Sequence, residues 1–379
     1  MALTQEAYLA TTAPVDTALG LPNEAYTSDS FLRQEYLEVL GKSWIGVAFD
    51  DDVATPGDLY PVQAAGQPLV VLRDHQQRIR VFHNVCRHRG AKLVDRPCSN
   101  KRQIVCPYHA WAYGLDGELN ATPNFRGPDF KERVSFDKGT QDLVEVRSAV
   151  WNHVVMVNLS GDAMPLDEWT RELDQRWSSY DLDNTVAGKE VTYDIDTNWK
   201  LALENFLESY HLPVVLPTLN TYSPLSDHLV LVENRIMGQI SLNYQPEDGG
   251  RGLPRFANLP ADRETRAEYL LLFPNLMLSV TPDHFRVTLN NPIAAESTHQ
   301  RWRFFFVGEE SADASYEAAR AGVAQRVDSY TQEDISILER LQAGRHSPAY
   351  DGGRFSPYHE TTTHHFQKLV AQALAGDAS

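Results

Sequence analysis

The pattern of apolar and polar positions distinguishes two halves of the chain. From Trp44 to about Leu159, short β-branched runs such as PLVVLRD and RIRVFHNV alternate with Gly, Pro, Asn and Asp, which predicts an all-β unit. The second half contains longer strand-like runs, namely HLVLVENRIMGQISLNY, YLLLFPNLMLSV, HFRVTLNNPI and RWRFFFVG, which predict a sizeable antiparallel sheet. A long helix is predicted after these runs, from about Ala314 to Ala343. The chain is therefore predicted to have an α+β fold.

Shorter helical segments are predicted near both ends and in the middle of the chain. PLDEWTRELDQRW and the closing TTTHHFQKLVAQALAG have helical patterns, and SDSFLRQEYLEVLGKSW offers either Ser28 or Ser30 as a cap. The apolar residues at helical spacing in that last segment are Phe31, Tyr36, Leu37 and Leu40. A chain of 379 residues exceeds what one core normally serves, so more than one domain is expected. Three parts are predicted. Residues 1–43 form a helical segment that packs on the second domain, residues 44–160 form an all-β domain, and residues 161–379 form the second domain with the larger sheet and the long helix.

Charge and composition narrow the classes of partner. The net charge of -17 argues against nucleic acid, because phosphate binding needs clustered Lys and Arg. No apolar run is long enough to span a membrane, and the N-terminus lacks the basic start and apolar core of a signal peptide. Three cysteines provide no disulfide framework, which favours a reducing compartment such as the cytoplasm.

Two cysteines and two histidines occur at a spacing typical of an electron carrier. Cys86-x-His88 is followed, after 17 residues, by Cys106-x2-His109. In a Rieske [2Fe-2S] centre, two cysteines hold one iron and two histidines hold the other. A structural zinc site uses the same donors, but usually as one Cys pair and one His pair, whereas here each arm has one Cys and one His. We therefore interpret the four as Rieske ligands, and the remaining Cys98 as a small core residue or a surface residue.

Basic side chains surround these two motifs and outnumber the one nearby acid, Asp95. Two interpretations have equal support. The patch either docks an acidic ferredoxin-like reductase domain or a neighbouring subunit, or it is a solvated loop surface. The basic residues are Arg87, Arg89, Lys92, Arg96, Lys101 and Arg102.

Three segments, CRHRGAKLV, CPYHAWAYGLDGEL and NWKLALENFLESYH, resemble the oxygenase (alpha) component of Rieske non-haem iron oxygenases. The likeness runs from roughly Trp44 to Gln342. It implies a Rieske domain followed by a helix-grip catalytic domain, in which an antiparallel sheet and a long C-terminal helix hold a mononuclear Fe(II). It also implies a separate NAD(P)H-dependent flavin and iron-sulfur reductase that supplies the electrons.

The second half of the chain contains candidate ligands for such an iron. NWKLALENFLESYHL places Glu204, Glu208 and His211 four and three residues apart, which predicts that they share one face of a helix. Asp334 falls on the apolar stripe of the long helix, where a carboxylate is costly unless it is paired or binds a metal. The stripe consists of Val323, Val327, Tyr330, Ile337, Leu338 and Leu341. His211 and Asp334 are therefore candidates for two thirds of a 2-His-1-carboxylate triad, and the resemblance implies the same Asp ligand. Asn205 and Glu208 are candidate catalytic residues.

One position departs from the family's pattern. The resemblance places a second His five residues after the first, but this chain has Leu216 there, which cannot bind iron. Three explanations are open: a disarmed variant, a site rebuilt with His228 or Glu208 as another donor, or a non-catalytic relative that keeps the cluster for electron transfer alone. Of these, we favour a disarmed or altered oxygenase.

The resemblance also implies a role for Glu208 between subunits. In the family, an acid in this region joins a Rieske His of one subunit to an iron-binding His of its neighbour, so Glu208 is expected to join His109 to His211 in a homo-oligomer, most simply a trimer. A carboxylate bound to a ligand imidazole also sets its tautomer.

The expected function is that of a terminal monooxygenase which uses O2 on a small substrate. The Glu of ENFLESYH and the chain length resemble the choline, betaine and carnitine monooxygenase branch, which favours a quaternary ammonium substrate with N-methyl groups. An aromatic substrate, an electron-transfer subunit without oxygen chemistry and a zinc-stabilised binding module are the alternatives.

Overall fold

The computed structural model describes residues 3–128, 139–245, 252–350 and 352–376. The chain forms two compact units, one made of Trp44–Ala163 and the other of Met1–Ser43 together with Met164–Ser379. Hydrogen bonds tie the N-terminal segment to the C-terminal half within the larger unit. The backbone N–H of Leu21 donates to Oε1 of Gln367 at 2.7 Å, for example.

The smaller unit is all-β, because its short β-branched runs are separated by turn residues. Its strands are β1 (Ile45–Phe49), β2 (Leu59–Ala64), β3 (Gln67–Arg73), β4 (Ile79–His83), β5 (Ile104–Val105), β6 (Ala112–Tyr113), β7 (Leu119–Ala121), β8 (Arg147–Trp151) and β9 (Val154–Asn158). Within the described residues they form three antiparallel sheets, in the orders β1-β9-β8, β2-β3-β4 and β5-β6-β7. A buried cluster that includes Phe82 and Tyr113 also contains Cys86 and Cys106, and Cys98 packs against it.

The larger unit is built on one antiparallel sheet with the strand order β10-β16-β15-β14-β13-β12-β11. The strands are β10 (Thr185–Ile195), β11 (His228–Glu233), β12 (Ile236–Ser241), β13 (Ala267–Leu272), β14 (Leu276–Val280), β15 (His284–Ala294) and β16 (Ser297–Val307). The predicted antiparallel sheet is thus confirmed, with β10 added at one edge. The apolar run around Pro274 forms two strands, because the turn at Phe273–Pro274 separates β13 from β14.

Helices surround this sheet. They are α1 (Gln5–Thr12), α2 (Glu24–Thr27), α3 (Asp29–Glu35), α4 (Leu166–Arg176), α5 (Trp199–Phe206), α6 (Leu212–Val215), α7 (Pro217–Tyr222), α8 (Glu317–Gly344) and α9 (Thr361–Ala375). The long helix α8 packs Val323 and Val327 against Trp302 and Phe304 of β16. The predicted α+β class is therefore confirmed. In the described part of the chain, no helix combines the length and the apolar character needed to cross a membrane.

One predicted helix face is wrong. α5 ends at Phe206, so Glu204 does not share a helix face with Glu208 and His211. Instead, Glu204 is buried and accepts a hydrogen bond from the hydroxyl of Tyr26 at 2.6 Å.

The predicted apolar stripes also contain members that face solvent. Leu341 of α8 is 44% exposed, and the buried side of that helix passes through Gln342 instead. Leu37 is 63% exposed and lies in a π-helical turn, Tyr36–Leu40, which is wider than an α-helical turn and changes the spacing after α3. Ser28 is the residue that caps α3.

Candidate functional site

Two loops of the smaller unit hold the Cys and His pairs in the same backbone geometry. The N–H of Cys86 donates to the carbonyl of Ala91, and the N–H of Gly90 donates back to Cys86, at 2.8 and 3.0 Å. The second loop repeats this between Cys106, Trp111 and Ala110, at 2.8 and 3.1 Å. The equivalent positions Gly90 and Ala110 both have a left-handed φ, of 74° and 55°. Each loop therefore turns so that its Cys and His face the same side.

The four side chains lie together, with the cysteines inside and the histidines toward the surface. Cys86 and Cys106 are 2% and 3% exposed, while the ring of His109 is solvent-exposed. The imidazole rings of His88 and His109 are 4.7 Å apart, and Trp111 stacks on His88 at 4.6 Å.

Two polar groups at this centre have the arrangement expected around a bound metal cluster. Nδ1 of His88 is buried and has no hydrogen-bond partner among the described residues, which is the expected state of an atom that binds a metal. The hydroxyl of Tyr113 accepts a hydrogen bond from the N–H of Arg87 at 3.0 Å and lies 3.4 Å from Sγ of Cys86, so its own hydrogen points to the sulfur.

The six basic residues of the predicted patch are all exposed. Among those described, only Lys92 forms an ion pair, with Asp95.

A second constellation lies in the larger unit, at the turn between α5 and α6. Oε1 of Glu208 lies 2.6 Å from Nδ1 of His211, so the ring donates that hydrogen and keeps Nε2 for another partner. Nε2 faces Oδ1 of Asp334 at 3.6 Å. Nδ2 of Asn205 donates to the same Oδ1 at 3.5 Å. The structure therefore brings together four residues predicted from sequence, Asn205, Glu208, His211 and Asp334.

The protonation of these groups follows from burial and from each other. Burial alone would lower the pKa of His211, but the hydrogen bond and charge of Glu208, together with Asp334, hold that pKa above its ordinary value. Burial raises the pKa of Asp334 to about 6, although His211 and Asn205 oppose the rise. His211 and Asp334 therefore each favour the charged form of the other.

An apolar cavity adjoins this constellation. It is lined by His211 and Asp334 and, on the opposite face, by strands of the large sheet, and it encloses about 790 Å³ including its open mouth. Leu216, between α6 and α7, is 2% exposed and lines the same cavity. The aromatic residues of its wall are Phe206, Tyr269, Trp302 and Tyr330.

His228, a candidate replacement donor, lies in this cavity wall with both ring nitrogens engaged. Nδ1 lies 2.6 Å from Oε1 of Gln239, and Nε2 lies 2.9 Å from the hydroxyl of Ser223. The amide nitrogen of Gln239 donates to the carbonyls of Phe206 and Glu208, so its oxygen is the atom that accepts from His228. This network holds the turn that carries Glu208. The sequence pattern had not indicated Gln239, because its partners are distant along the chain.

Family models match both units of the chain. A model described as the Rieske [2Fe-2S] domain matches residues 43–135. A model described as the ring hydroxylating alpha subunit (catalytic domain) matches residues 182–376, which is more than half of the chain. The chain belongs to the ring-hydroxylating oxygenase alpha-subunit family. It is thus a Rieske non-haem iron oxygenase, as the motifs had predicted.

Individual relatives of this oxygenase are similar over almost their whole length. The carnitine monooxygenase oxygenase subunit of Escherichia coli (strain K12) is 27% identical over 367 residues, which cover 93% of each chain. The glycine betaine monooxygenase oxygenase subunit of Chromohalobacter salexigens is 26% identical, over 90% of this chain and 82% of the relative. A solved quaternary ammonium Rieske monooxygenase superposes with a TM-score of 0.81 at 24% identity, over 98% of this chain and 99% of that one, which establishes the fold.

The family implies a [2Fe-2S] cluster and a mononuclear iron, and the residues of this oxygenase fit the two differently. For the cluster, two buried thiols, the unpartnered Nδ1 of His88 and the exposed His109 supply the donors that a Rieske centre needs. For the mononuclear iron, His211 and Asp334 face each other as donors. Leu216, which has no donor atom, lines the cavity beside them.

Proposed function

We propose that the chain is the terminal oxygenase component of a Rieske-type monooxygenase that acts on a small quaternary ammonium compound. The observation that carries this proposal is the Glu208, His211 and Asp334 constellation at the wall of an apolar cavity. The relatives named for carnitine and glycine betaine support the substrate class. Aromatic rings in the cavity wall, such as Phe206 and Tyr269, suit a quaternary ammonium group, because their faces attract cations.

The proposed reaction inserts one oxygen atom of O2 into a C–H bond of an N-methyl group. The other oxygen atom leaves as water, and two electrons from NAD(P)H, delivered by a flavin and iron-sulfur reductase, balance the reaction. The hydroxymethyl product is a hemiaminal, which loses formaldehyde and leaves the demethylated amine.

The residues of the smaller unit would hold the group that receives these electrons. Cys86 and Cys106 would bind one iron of the cluster, and His88 and His109 the other, which supplies one-electron transfer when bound. The exposed ring of His109 is the part that a neighbouring subunit can reach. We place Glu208 of that neighbour beside it, so that one carboxylate links His109 to His211 across subunits of a homo-oligomer, most simply a trimer. The exposed basic patch is the docking surface proposed for the reductase.

Leu216 divides this proposal into two cases. In the first, the chain is an altered oxygenase whose mononuclear site has two protein donors. In the second, it is an electron-transfer subunit without oxygen chemistry, which the absence of a donor atom on the Leu216 side chain favours. We favour the altered oxygenase, because His211 and Asp334 are still held in costly buried positions that a carrier does not need.

Iron counting and one substitution separate the two cases. About three irons per chain would mean that a mononuclear iron binds beside the cluster, while about two would mean that the cluster alone is loaded. If the wild type contains about two irons, Leu216→His should add about one iron per chain. It should also start NADH-coupled O2 uptake with a quaternary ammonium substrate. The matched control is Leu216→Met, which keeps an apolar side chain of similar size and should add no iron. A Leu216→His protein that binds no further iron would support the carrier.

A further inference from the structure

Among the described residues, Arg286 is a buried arginine with no carboxylate partner, unlike the other buried arginines. Among the described residues, three arginines are buried, namely Arg286, Arg301 and Arg345, which are 4%, 7% and 8% exposed. Arg301 pairs with Glu190 at 2.7 Å, and Arg345 lies 3.9 Å from a carboxylate oxygen of Glu204. Arg286 forms no ion pair with any carboxylate that the structure describes. A buried charge without a counter-ion is costly, so a partner from outside the chain would stabilise it.

Neutral groups hold the guanidinium of Arg286 in place. It extends from β15, and Nη2 donates to the hydroxyl of its cross-strand partner Ser279 at 2.8 Å. Nη1 donates to the hydroxyl of Tyr330 at 3.4 Å, and the guanidinium carbon lies 4.6 Å from the ring centroid of Trp302. A guanidinium has five N–H donors, and these two hydroxyls accept only two of them. The side chain is therefore oriented while its charge and several donors stay available.

Arg286 lines the same cavity as the candidate iron ligands. Arg286, His211 and Asp334 all contribute to its wall. Tyr330, which touches Arg286, precedes Asp334 by one turn of α8, or about 6 Å along the helix axis. The wall of this cavity thus contains both the carboxylate of Asp334 and the arginine Arg286.

We propose that Arg286 binds the carboxylate of the substrate, so that the substrate is a small zwitterion with a cationic N-methyl group and a carboxylate. This inference rests on the proposed function and narrows its substrate class. A carboxylate accepts two parallel hydrogen bonds from a guanidinium, and the low polarity of the cavity strengthens that pair. With its carboxylate at Arg286, the substrate has its cationic end free to lie near Asp334, which lines the same cavity. The positive charge of Arg286 therefore selects substrates that carry a carboxylate.

The test uses three probes that differ only in charge. γ-Butyrobetaine has both charges, its methyl ester has only the cation, and its all-carbon tert-butyl analogue has only the carboxylate. Binding to the holoenzyme is measured by isothermal titration calorimetry. The wild type should bind γ-butyrobetaine at least about 10-fold more tightly than the ester, because the ester cannot pair with Arg286. This comparison needs no variant, so it stands even where a substitution fails to fold.

Substitutions then assign the preference to one side chain. Arg286→Met should weaken γ-butyrobetaine binding by about 10- to 100-fold and leave the ester unchanged. Arg286→Lys, which keeps the charge but not the paired donors, should retain part of the preference for γ-butyrobetaine over the ester. The control is Arg340→Gln, which removes an exposed arginine of α8 and should change neither affinity.

The outcomes separate this inference from the function on which it rests. If γ-butyrobetaine and its ester bind alike, and Arg286→Met alters neither, Arg286 is not the carboxylate site although the quaternary ammonium class stands. If the tert-butyl analogue binds as well as γ-butyrobetaine, and both depend on Arg286, the carboxylate site stands and the quaternary ammonium class fails. Failure of the wild type to bind either carboxylate probe would overturn the inference.

Discussion

Glu208 and His211 form one unit, in which Oε1 of the acid lies 2.6 Å from Nδ1 of the imidazole. The other oxygen of Glu208 accepts the backbone N–H groups of Tyr210 and of His211 itself, the latter at 3.2 Å. The carboxylate of Glu208 therefore stabilises the backbone of the turn and also fixes the tautomer of the His211 ring. As a result, Nε2 of His211 is the nitrogen that faces Asp334.

The charge of Glu208 is expected to matter for turnover and not for metal content. Glu208→Gln keeps an oxygen that can accept from His211, but it removes the negative charge that supports the ring and the proposed link to His109. Turnover should fall on the order of 10- to 100-fold with both metal sites still loaded. The measurement is NADH-coupled O2 uptake together with iron analysis, in the wild type or in Leu216→His, whichever consumes O2. Glu333→Gln, on the exposed side of α8, is the control, and unchanged turnover in Glu208→Gln would contradict the proposal.

Tyr113 is expected to tune the reduction potential of the cluster. Its hydroxyl lies 3.4 Å from Sγ of Cys86, and hydrogen bonds to the sulfurs raise the potential of such clusters. Tyr113→Phe should therefore lower the potential on the order of tens of millivolts while the cluster still assembles. Protein-film voltammetry measures the shift, and a Rieske-type EPR signal verifies assembly. Equal potentials in the two proteins would show that the hydroxyl does not act on the sulfur.

The free energy of unfolding is expected to fall when one member of the buried ion pair Glu35 and Lys200 is removed, and to recover when both are replaced. Their charged atoms are 2.6 Å apart and neither side chain is exposed, so burial raises the pKa of Glu35 and lowers that of Lys200. Lys200→Met should lower the free energy of unfolding by about 3–5 kcal/mol, because it strands a buried carboxylate. The double variant with Glu35→Leu should recover most of this loss. Urea unfolding provides the measurement.

An exposed pair supplies the matched control for this experiment. Lys42 lies 2.6 Å from Glu38, but both side chains are partly in solvent. Lys42→Met should change the free energy of unfolding by no more than about 0.5 kcal/mol. A double variant of Glu35 and Lys200 that is as unstable as Lys200→Met would contradict the argument from burial.

Asp283 is expected to make stability depend on pH in the acid range. Burial alone would raise the pKa of its carboxyl, but His284 and the hydroxyls of Thr281 and Tyr244 hold that pKa below its ordinary value. Because the folded pKa is the lower one, the stabilisation is fully present above about pH 4 and is lost as the pH falls through the folded pKa. Asp283→Asn should therefore lower the free energy of unfolding at pH 7. The difference between the variant and the wild type should become smaller as the pH falls. Urea unfolding of both proteins from neutral to acid pH measures this, and a constant difference would disprove it.

Local patterns allowed much of this oxygenase to be predicted. The spacing of Cys86, His88, Cys106 and His109 indicated the cluster because both ligand pairs lie on short loops whose geometry depends on neighbouring residues. Long apolar runs predicted β11 to β16, since β-branched and aromatic residues are enriched in strands. The helix face that Glu204 was predicted to share with Glu208 and His211 was wrong, because helical spacing alone does not reveal where a helix ends. Here Glu208, beyond the end of α5, accepts backbone N–H groups of the following turn.

Long-range contacts explain what the sequence pattern missed. Gln239, Tyr269, Ser279 and Arg286 are successive cross-strand partners in the large sheet, although they are far apart in the chain. Nothing near Arg286 in sequence indicates that its partners are neutral or that it faces a cavity. A buried cation differs from a surface arginine only by its three-dimensional surroundings.

The sequence by itself determined the chemical identities of the candidate donors, and the apolar residue Leu216 near them, because side-chain types and short spacings are properties of the chain. Only the tertiary structure decided which of these groups meet. Asp334 is brought 3.6 Å from His211 across 123 residues, and Arg286, in the same cavity, forms no ion pair with a carboxylate of the described residues. The physical reason is that pairing, burial and the resulting electrostatics depend on distances in space, which the sheet and α8 set together.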